Sequence, residues 1–250
     1  MVKELLKLTI ESIAYGGMGI ARHAGIVHFV PATCSGETVL AVVTQRKATY
    51  AIAQVREIIT PSATRIVPAC PFFSRCGGCT YLHMAYAEQL KIKEKQLHTI
   101  LMRLGKVKDP PVAQVIASPN AFYYRNRITL HKRKACGHAL GFFADDNETI
   151  IPIDHCLIAQ QLLNAALANI LKNTPPLAPT VKRFDNVLLT TDGARTEVCF
   201  TTQRSLKKTW FSHMPDGCRR EMEARFSFTY GTARCEYGSS VFFQTNTEIL

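Results

Sequence analysis

The sequence has no long apolar run, and no segment of its 250 residues approaches the roughly 18 consecutive apolar residues of a membrane-spanning helix. Its first residues, MVKELLKLTIE, also lack the uninterrupted apolar core of a secretory signal peptide. We therefore expect a cytosolic protein that does not enter a membrane. Because the cytosol is reducing, the nine cysteines are expected to be free thiols or metal ligands, not disulfides.

Acidic residues are scarce relative to basic ones. The 30 lysines and arginines outnumber 19 aspartates and glutamates, which gives a formal net charge of +11 at pH 7. This excess favours a polyanionic partner, and nucleic acid is the first candidate. Composition alone fits equally well a basic protein that binds no nucleic acid. The position of the charges along the chain has to distinguish these two alternatives.

The sequence also lacks the second pair of closely spaced cysteines that a four-cysteine zinc site normally uses. Cys70, Cys76 and Cys79 lie close together, and Cys76 and Cys79 bracket two glycines that permit a tight turn. An iron–sulfur cluster also takes four thiolates, but its fourth can come from a distant segment. The clustering predicts a metal or cluster site, and spacing alone favours neither zinc nor iron–sulfur.

Six other cysteines could supply the fourth ligand: Cys34, Cys136, Cys156, Cys199, Cys218 and Cys235. Cys156 lies in IDHCLIAQQLL at the predicted start of a helix, where the helix dipole favours a thiolate. Cys199 fits a core position of a strand. Cys34 and Cys136 fall in predicted turns, and spacing does not exclude them.

Residues 1–60 have the pattern of a small all-β domain. Apolar and polar residues alternate in LKLTIE, and three further strand-like runs follow, separated by turn-rich segments such as YGGMG. Four or five short strands in this length predict a small β-barrel, a common nucleic-acid-binding fold. The YGGMG segment lacks the full spacing of a phosphate-binding loop, so we interpret it as a turn between strands.

Residues 61–235 have a mixed α/β pattern. A helix is predicted over Ala85–Leu104, and its buried stripe is expected to comprise Leu90, Leu97, Ile100, Leu101 and Leu104. HALGFF and ETIIPID are predicted strands, and NVLLTTDGARTEVCF is a predicted hairpin that turns at Asp-Gly. A second helix is predicted over Cys156–Lys172, with Leu162, Ala166 and Ile170 buried.

The basic segment FYYRNRITLHKRK is the main candidate for nucleic-acid contact. If it forms one strand, Tyr123, Arg125 and Arg127 share a face, and Lys132 and Arg133 follow. An aromatic ring can stack on an unpaired base while arginines and lysines bind phosphates. The alternative is a face whose charges are simply solvated.

A series of short segments follows the order found in a known family. They are YGGMGIAR, HFVP, CSGE and PSATR, then CPFFSRCGGCTYLHMAYAEQLKIK, FYYRNRITLHKRK, LGFF, IPIDHCLI and VFFQTN. The chain resembles the S-adenosylmethionine-dependent RNA uracil-5-methyltransferases, in the branch with an amino-terminal TRAM domain and an iron–sulfur cluster. The resemblance extends over essentially the whole chain, and the CGGC segment is its most specific motif.

This resemblance implies a domain order. Residues 1–60 would form a TRAM domain, an OB-like β-barrel that binds RNA. Residues 61–235 would form a central α/β domain that carries the cluster and also contacts RNA. Residues 236–250, which end in an apolar run without a cap, would be the start of a truncated Rossmann-like methyltransferase domain.

The resemblance also implies cofactors and a substrate. Cys70, Cys76, Cys79 and Cys156 would hold a [4Fe–4S] cluster, for which we favour a structural role. Gln244 in FFQTN would lie at the pocket for S-adenosylmethionine and the target base, bordered by Phe242 and Phe243. The substrate would be RNA, with 23S rRNA favoured over tRNA and 5-methyluridine as product, and the protein is expected to be a monomer.

The family's cofactor-binding glycine loop, catalytic cysteine and general-base glutamate would all lie beyond residue 250, and no cysteine of this chain matches the nucleophile. We therefore expect no catalytic residue in this chain and no methyl transfer by it alone. One alternative is a non-catalytic RNA-binding module with a structural zinc site. A methylthiotransferase is disfavoured, because its cysteine spacing is absent and the barrel lies at the opposite end of the chain.

Overall fold

A computed structural model describes residues 4–133, 139–173, 185–201, 218–219, 225–230, 233–238 and 244–247. The chain forms two compact units. The first comprises Met1–Ser74 and Cys79–Ala117, and the second comprises Arg75–Gly78 and Ser118–Leu250. No helix in the described ranges is long and apolar enough to cross a membrane.

The first unit contains a six-stranded sheet. Its strands are β1 (Leu5–Thr9), β2 (Ser12–Ile13), β3 (Gly19–His23), β4 (Ile26–Val30), β5 (Thr38–Arg46) and β6 (Tyr50–Thr60). Their spatial order is β1-β5-β6-β4-β3-β2, and all pairs are antiparallel except β4 with β6. The predicted β-rich start is therefore confirmed, with one or two strands more than expected. The finer assignment to a TRAM barrel stays a prediction.

Alternation along β1 explains how this sheet buries its core. Leu6, Leu8 and Ile10 are almost fully buried, while the residues between them are exposed. The YGGMG segment is the turn between β2 and β3, as predicted. Gly19 permits close packing there, because a Cβ at this position would lie 2.1 Å from Thr33 Oγ1.

Helix α1 (Tyr86–Arg103) follows in the same unit, within one residue of the predicted bounds at each end. Its predicted buried stripe is wrong. Ile92 is the buried residue of this helix, whereas Leu97 and Leu104 are 48% and 79% exposed. The side of α1 that carries Ile92 and Gln96 contacts the sheet, and the Gln96 amide donates hydrogen bonds to the carbonyls of Ile13 and Ala14.

The second unit contains a mixed sheet and one described helix. Its elements are β7 (Arg127–His131), β8 (Gly141–Phe143), β9 (Ile150–Pro152), α2 (Gln161–Asn173), β10 (Asn186–Thr191), β11 (Thr196–Thr201) and β12 (Cys218–Arg219). The sheet order is β12-β11-β10-β7-β8-β9. A separate antiparallel pair comprises β13 (Arg225–Tyr230) and β14 (Ala233–Gly238). The α/β character and the predicted hairpin are confirmed, since β10 and β11 flank Asp192-Gly193 and Gly193 has φ +91°.

Helix α2 packs against β10 and β11. It begins at Gln161, five residues later than predicted, so Cys156 precedes the helix. Leu163 and Leu167 are buried, together with the predicted Ile170, whereas the predicted Leu162 is 39% exposed. The predicted stripe is therefore one residue out of phase at positions 162 and 166, where the buried residues are Leu163 and Leu167.

Candidate functional site

Three of the motifs that carry the family resemblance meet at Arg125 in the second unit. On one side, the Arg125 N–H donates to the Ile158 carbonyl at 2.8 Å, and the Gln160 N–H donates to the Arg125 carbonyl at 2.9 Å. On the other side, Arg125 forms an antiparallel bridge with Asn246. The segments YYRNR, DHCLI and QTN are therefore joined by backbone hydrogen bonds although they are far apart in sequence.

Asn126 extends this junction to the central sheet. Its N–H donates to the Thr245 carbonyl at 2.9 Å, and its carbonyl accepts the N–H of Thr191, at the end of β10, also at 2.9 Å. Asn126 is 5% exposed, and its side-chain amide nitrogen lies 3.4 Å from the Gln244 carbonyl oxygen. The backbone of Gln244 and Thr245 is thus positioned against a buried residue of the YYRNR motif.

Gln244 itself is exposed at this junction, and its proposed contact with S-adenosylmethionine stays a prediction. Phe242 and Phe243 lie outside the described residues. Asn246 is held from a further segment, because its amide donates to Ser118 Oγ at 2.9 Å. Sequence analysis did not single out Asn126 or Ser118, since an asparagine and a serine carry no periodic signal.

The predicted shared face of Tyr123, Arg125 and Arg127 is interrupted. Strand β7 begins only at Arg127, and Tyr123 has a positive φ of +57°, so strand alternation does not extend back to it. Tyr123 is nevertheless 41% exposed, which leaves its ring accessible. Arg125 is half-buried, and its Nε is a buried donor without a hydrogen-bond partner in the described part of the chain.

Lys132 is buried, which contradicts its assignment to a phosphate-binding surface. It is 7% exposed, because continued alternation from Ile128 and Leu130 turns it toward the core. Burial lowers the pKa of Lys132 to about 8, against the opposing effect of Asp185. The sequence carried this signal, since positions 128, 130 and 132 share a face of the strand.

Arg133 is exposed and belongs to an aromatic stack. Its guanidinium carbon lies 4.8 Å from the centroid of the Phe143 ring, and His131 stacks on the same ring at 4.3 Å. The ring of His131 is oriented by Nδ1, which lies 2.8 Å from Asn186 Oδ1. This stack borders an open pocket of about 390 Å³ that is also lined by Gly77 and Gly78. Sequence analysis missed Phe143, whose only signal was the apolar LGFF strand.

The two glycines between Cys76 and Cys79 have different roles. The Gly77 N–H donates to the Phe143 carbonyl at 2.9 Å, and a Cβ on Gly77 would lie 3.0 Å from the carbonyl carbon of Ala144. The Gly78 N–H points instead to Cys76 Sγ at 3.4 Å, and its Cβ would meet only that sulfur. Gly77 therefore permits close packing on β8, whereas Gly78 provides a donor to sulfur.

Cys156 lies in a turn that a side chain of α2 holds. Asn164 Oδ1 accepts the Cys156 N–H at 2.8 Å, and Asn164 Nδ2 donates to the Cys156 carbonyl at 3.0 Å. The same Nδ2 reaches the Ala159 carbonyl at 3.2 Å. The backbone of Cys156 is therefore held by the side chain of Asn164, and not by the N-terminus of a helix as predicted.

The cysteines whose burial the structure describes separate into two groups. Cys34 and Cys199 are 1% exposed, and burial, assisted by Glu37, raises the pKa of Cys34 to about 11, which disfavours a thiolate ligand. The four predicted ligands are all of intermediate exposure: Cys70, Cys76, Cys79 and Cys156. Their donor chemistry fits an iron–sulfur cluster. In the described residues, no three or more His, Cys, Asp or Glu side chains are grouped to hold a metal ion.

Comparison with known proteins gives relatives that share one kind of activity. No family model matches the chain. It is 34% identical over 165 residues to an uncharacterized RNA methyltransferase of Aquifex aeolicus, a match that covers 66% of this chain and 38% of the relative. It is 33% identical over 173 residues to the 23S rRNA (uracil(1939)-C(5))-methyltransferase RlmD of a Shewanella species, covering 68% of this chain and 38% of the relative. The chain thus spans less than half the length of these relatives.

A solved structure shares the fold. The Pyrococcus abyssi tRNA (uracil-54, C5)-methyltransferase, crystallised with S-adenosyl-L-homocysteine, matches 97% of this chain and 62% of its own, with a TM-score of 0.69 and 19% identity. This similarity shows the same arrangement of elements, and at this identity it does not assign a substrate.

Proposed function

We propose that this chain, a homologue of RNA methyltransferases that include a 23S rRNA uracil-C5 methyltransferase, is the RNA-binding and cluster-binding portion of such an enzyme. The observation that carries the proposal is the junction at Arg125, where YYRNR, DHCLI and QTN are joined by backbone hydrogen bonds. Segments that carry a shared activity are expected to converge in the fold.

The substrate we propose is a uracil in RNA, converted to 5-methyluridine, and 23S rRNA is favoured because named relatives modify it. The target base must leave its stack to react. S-adenosylmethionine would supply the methyl group, and Gln244 is the residue of this chain expected to contact it. We also propose that the protein is cytosolic and monomeric.

This chain's own residues would bind and orient the RNA. Tyr123 and the Arg133–Phe143–His131 stack offer rings to unpaired bases, and Arg127 and Arg133 offer charge to phosphates. In the complete reaction a cysteine adds to C6 of the uracil, the methyl group is transferred to C5, and a base removes the C5 proton before the cysteine leaves. That cysteine and base match no residue here, so the chain alone would not methylate.

We further propose that Cys70, Cys76, Cys79 and Cys156 hold a [4Fe–4S] cluster with a structural role. Support comes from their spacing, their partial exposure, and the Gly78 N–H donor to Cys76. Such a cluster would tie the CGGC segment to the Asn164-capped turn. Metal ligation that joins distant segments stabilises the folded chain.

The test uses the 250-residue chain purified without oxygen. We expect brown protein with iron and sulfide, binding to a 23S rRNA fragment, and no incorporation of labelled methyl groups from S-adenosylmethionine. Methylation by this chain alone would refute the assignment of the chemistry to residues outside it. Colourless protein with one bound zinc would instead support the alternative of a non-catalytic module.

A further inference from the structure

The first unit contains a groove that has no role in the function proposed above. It encloses about 430 Å³ between helix α1 and the segment that joins β2 to β3. One wall is formed by α1, and the opposite wall by residues Ser12–Tyr15, Ile20 and Ser35. None of the predicted RNA-contact residues lines it, so it is a separate surface.

The helical wall is basic along one ridge. Lys91, Lys95, Thr99 and Arg103 follow one another at intervals of four residues, which places them on the same side of α1, about 6 Å apart along its axis. The lysines and the arginine are exposed, and none of the ion pairs in the described residues includes them. Glu88, in the first turn of α1, is the acidic residue of the lining.

The opposite wall presents an aromatic ring. Tyr15 is 82% exposed, although it lies in a loop that is held tightly. The Ala14 N–H donates to the Met18 carbonyl at 2.7 Å, and Gly17, with φ +93°, closes the turn by donating to the Ala14 carbonyl at 3.0 Å. The ring is therefore presented to solvent by a rigid turn instead of packing into the core.

Two partly buried hydrogen bonds hold the two walls at a fixed distance. The Gln96 amide on α1 donates to the Ala14 carbonyl at 2.7 Å and to the Ile13 carbonyl at 3.3 Å. Ile13 and Ile92 are both 8% exposed and form the apolar floor. A groove of fixed width loses little conformational entropy on binding, which favours a ligand that fits it.

We propose that this groove binds a single-stranded segment of RNA, with a base stacked on Tyr15 and phosphates along the Lys91–Arg103 ridge. The inference rests on the proposed function, which makes RNA the polyanion available. An exposed ring beside a row of cations is the arrangement that single strands require, because their bases are free to stack. A duplex hides its bases, and its binding would leave Tyr15 without a partner.

The experiment measures fluorescence anisotropy of a labelled single-stranded oligouridylate, and of the same sequence as a duplex, at several salt concentrations. The variants are Tyr15→Ala and the triple Lys91→Ala, Lys95→Ala, Arg103→Ala. A charge-matched control replaces three exposed lysines outside the groove: Lys7, Lys47 and Lys108. Circular dichroism confirms that each variant is folded.

We expect the groove triple to lower the salt slope of log K by about two, since a single strand contributes about 0.7 per phosphate contact. Tyr15→Ala should weaken binding about 5- to 140-fold with an unchanged salt slope. The control triple should change the slope by less than the groove triple does, and the duplex should bind more weakly than the single strand.

Several results would overturn this proposal. If both triples reduce the slope equally, or if the duplex binds as tightly as the single strand, the groove is not a single-strand site. Displacement of the RNA by polyglutamate, together with no effect of Tyr15→Ala, would assign the groove to an acidic polypeptide. If the wild-type chain binds RNA and the groove variants bind equally well, the groove inference alone fails. If the wild-type chain binds no RNA at all, the proposed function fails with it.

Discussion

The buried carboxylate of Glu37 is held by the guanidinium of Arg65, with Arg65 Nε 2.5 Å from Glu37 Oε1 and a terminal nitrogen 2.8 Å from Oε2. Glu37 also accepts the backbone N–H groups of Cys34 and Ser62. Its side chain is fully buried, whereas that of Arg65 is 21% exposed. This bidentate pair ties the turn before β5 to the segment that follows β6, in the unit that contains the groove.

Replacing Arg65 with alanine should destabilise the first unit strongly. The change would leave a buried carboxylate without its cation, which costs about 3–5 kcal/mol in comparable pairs. Arg65→Lys keeps the charge but loses the bidentate geometry and should cost less. Urea unfolding followed by circular dichroism measures both values. Equal stability of Arg65→Ala and the wild type would show that the pair contributes nothing net.

Stability should fall in acid because of Glu37. Burial by itself would raise the pKa of this carboxyl, but hydrogen bonds from Arg65 and from the Cys34 and Ser62 N–H groups outweigh it and lower the pKa below its ordinary value. The stabilisation is complete above the pKa of the unfolded chain and is lost as pH falls through the lower, folded pKa. Thermal melts from neutral to acidic pH should show this loss, and Glu37→Gln should flatten the curve.

Gly77 and Gly78 should respond differently to alanine. A Cβ at Gly77 would lie 3.0–3.1 Å from the backbone carbonyl of Ala144, whereas a Cβ at Gly78 would make an ordinary contact of 3.5 Å with Cys76 Sγ. We expect Gly77→Ala to cost about 1–3 kcal/mol through overpacking and Gly78→Ala to be nearly neutral. Gly78→Ala serves as the matched control, and denaturant unfolding measures the free energy of unfolding of both variants. Equal losses would mean that close packing on β8 is not what requires Gly77.

Replacing Cys156 with serine should reduce iron content and the melting temperature together, because a cluster ligand would be lost. Cys34→Ala is the control, since that thiol is buried and holds its proton. The measurements are iron and sulfide per chain and the visible absorbance of anaerobic protein. Full iron occupancy in Cys156→Ser would exclude Cys156 as a ligand.

Asn164 should act on the same site through the backbone of Cys156. Asn164→Ala removes the acceptor for the Cys156 N–H and the donor to the Cys156 carbonyl, and an unsatisfied buried partner costs about 1–3 kcal/mol. Asn164→Asp keeps only the acceptor and should lie between the alanine variant and the wild type. If the turn positions a ligand, cluster loss during exposure to air should be faster in Asn164→Ala. An unchanged rate of loss would limit Asn164 to a role in stability.

Some functional details could be predicted from sequence and others could not. The exposure of Tyr123 and of Arg133 agrees with the sequence pattern. The burial of Lys132 was not predicted, although its alternation with Ile128 and Leu130 indicated it. The interruption at Tyr123 had no local signal, because a positive φ at a tyrosine depends on the hydrogen bond from its N–H to the Leu157 carbonyl.

The sequence by itself determined the elements: β1 with its buried face, α1 to within a residue, and the hairpin at Asp192-Gly193. Side-chain periodicity and turn chemistry act over a few residues, so they can be recognised without the fold. Only the tertiary structure decided that Ile92 and Gln96, and not Leu97, face the sheet. Only the tertiary structure placed Arg125 between residues 157–160 and 244–246. Such pairings depend on the free energy of packing the whole unit, to which segments that are distant in sequence contribute together.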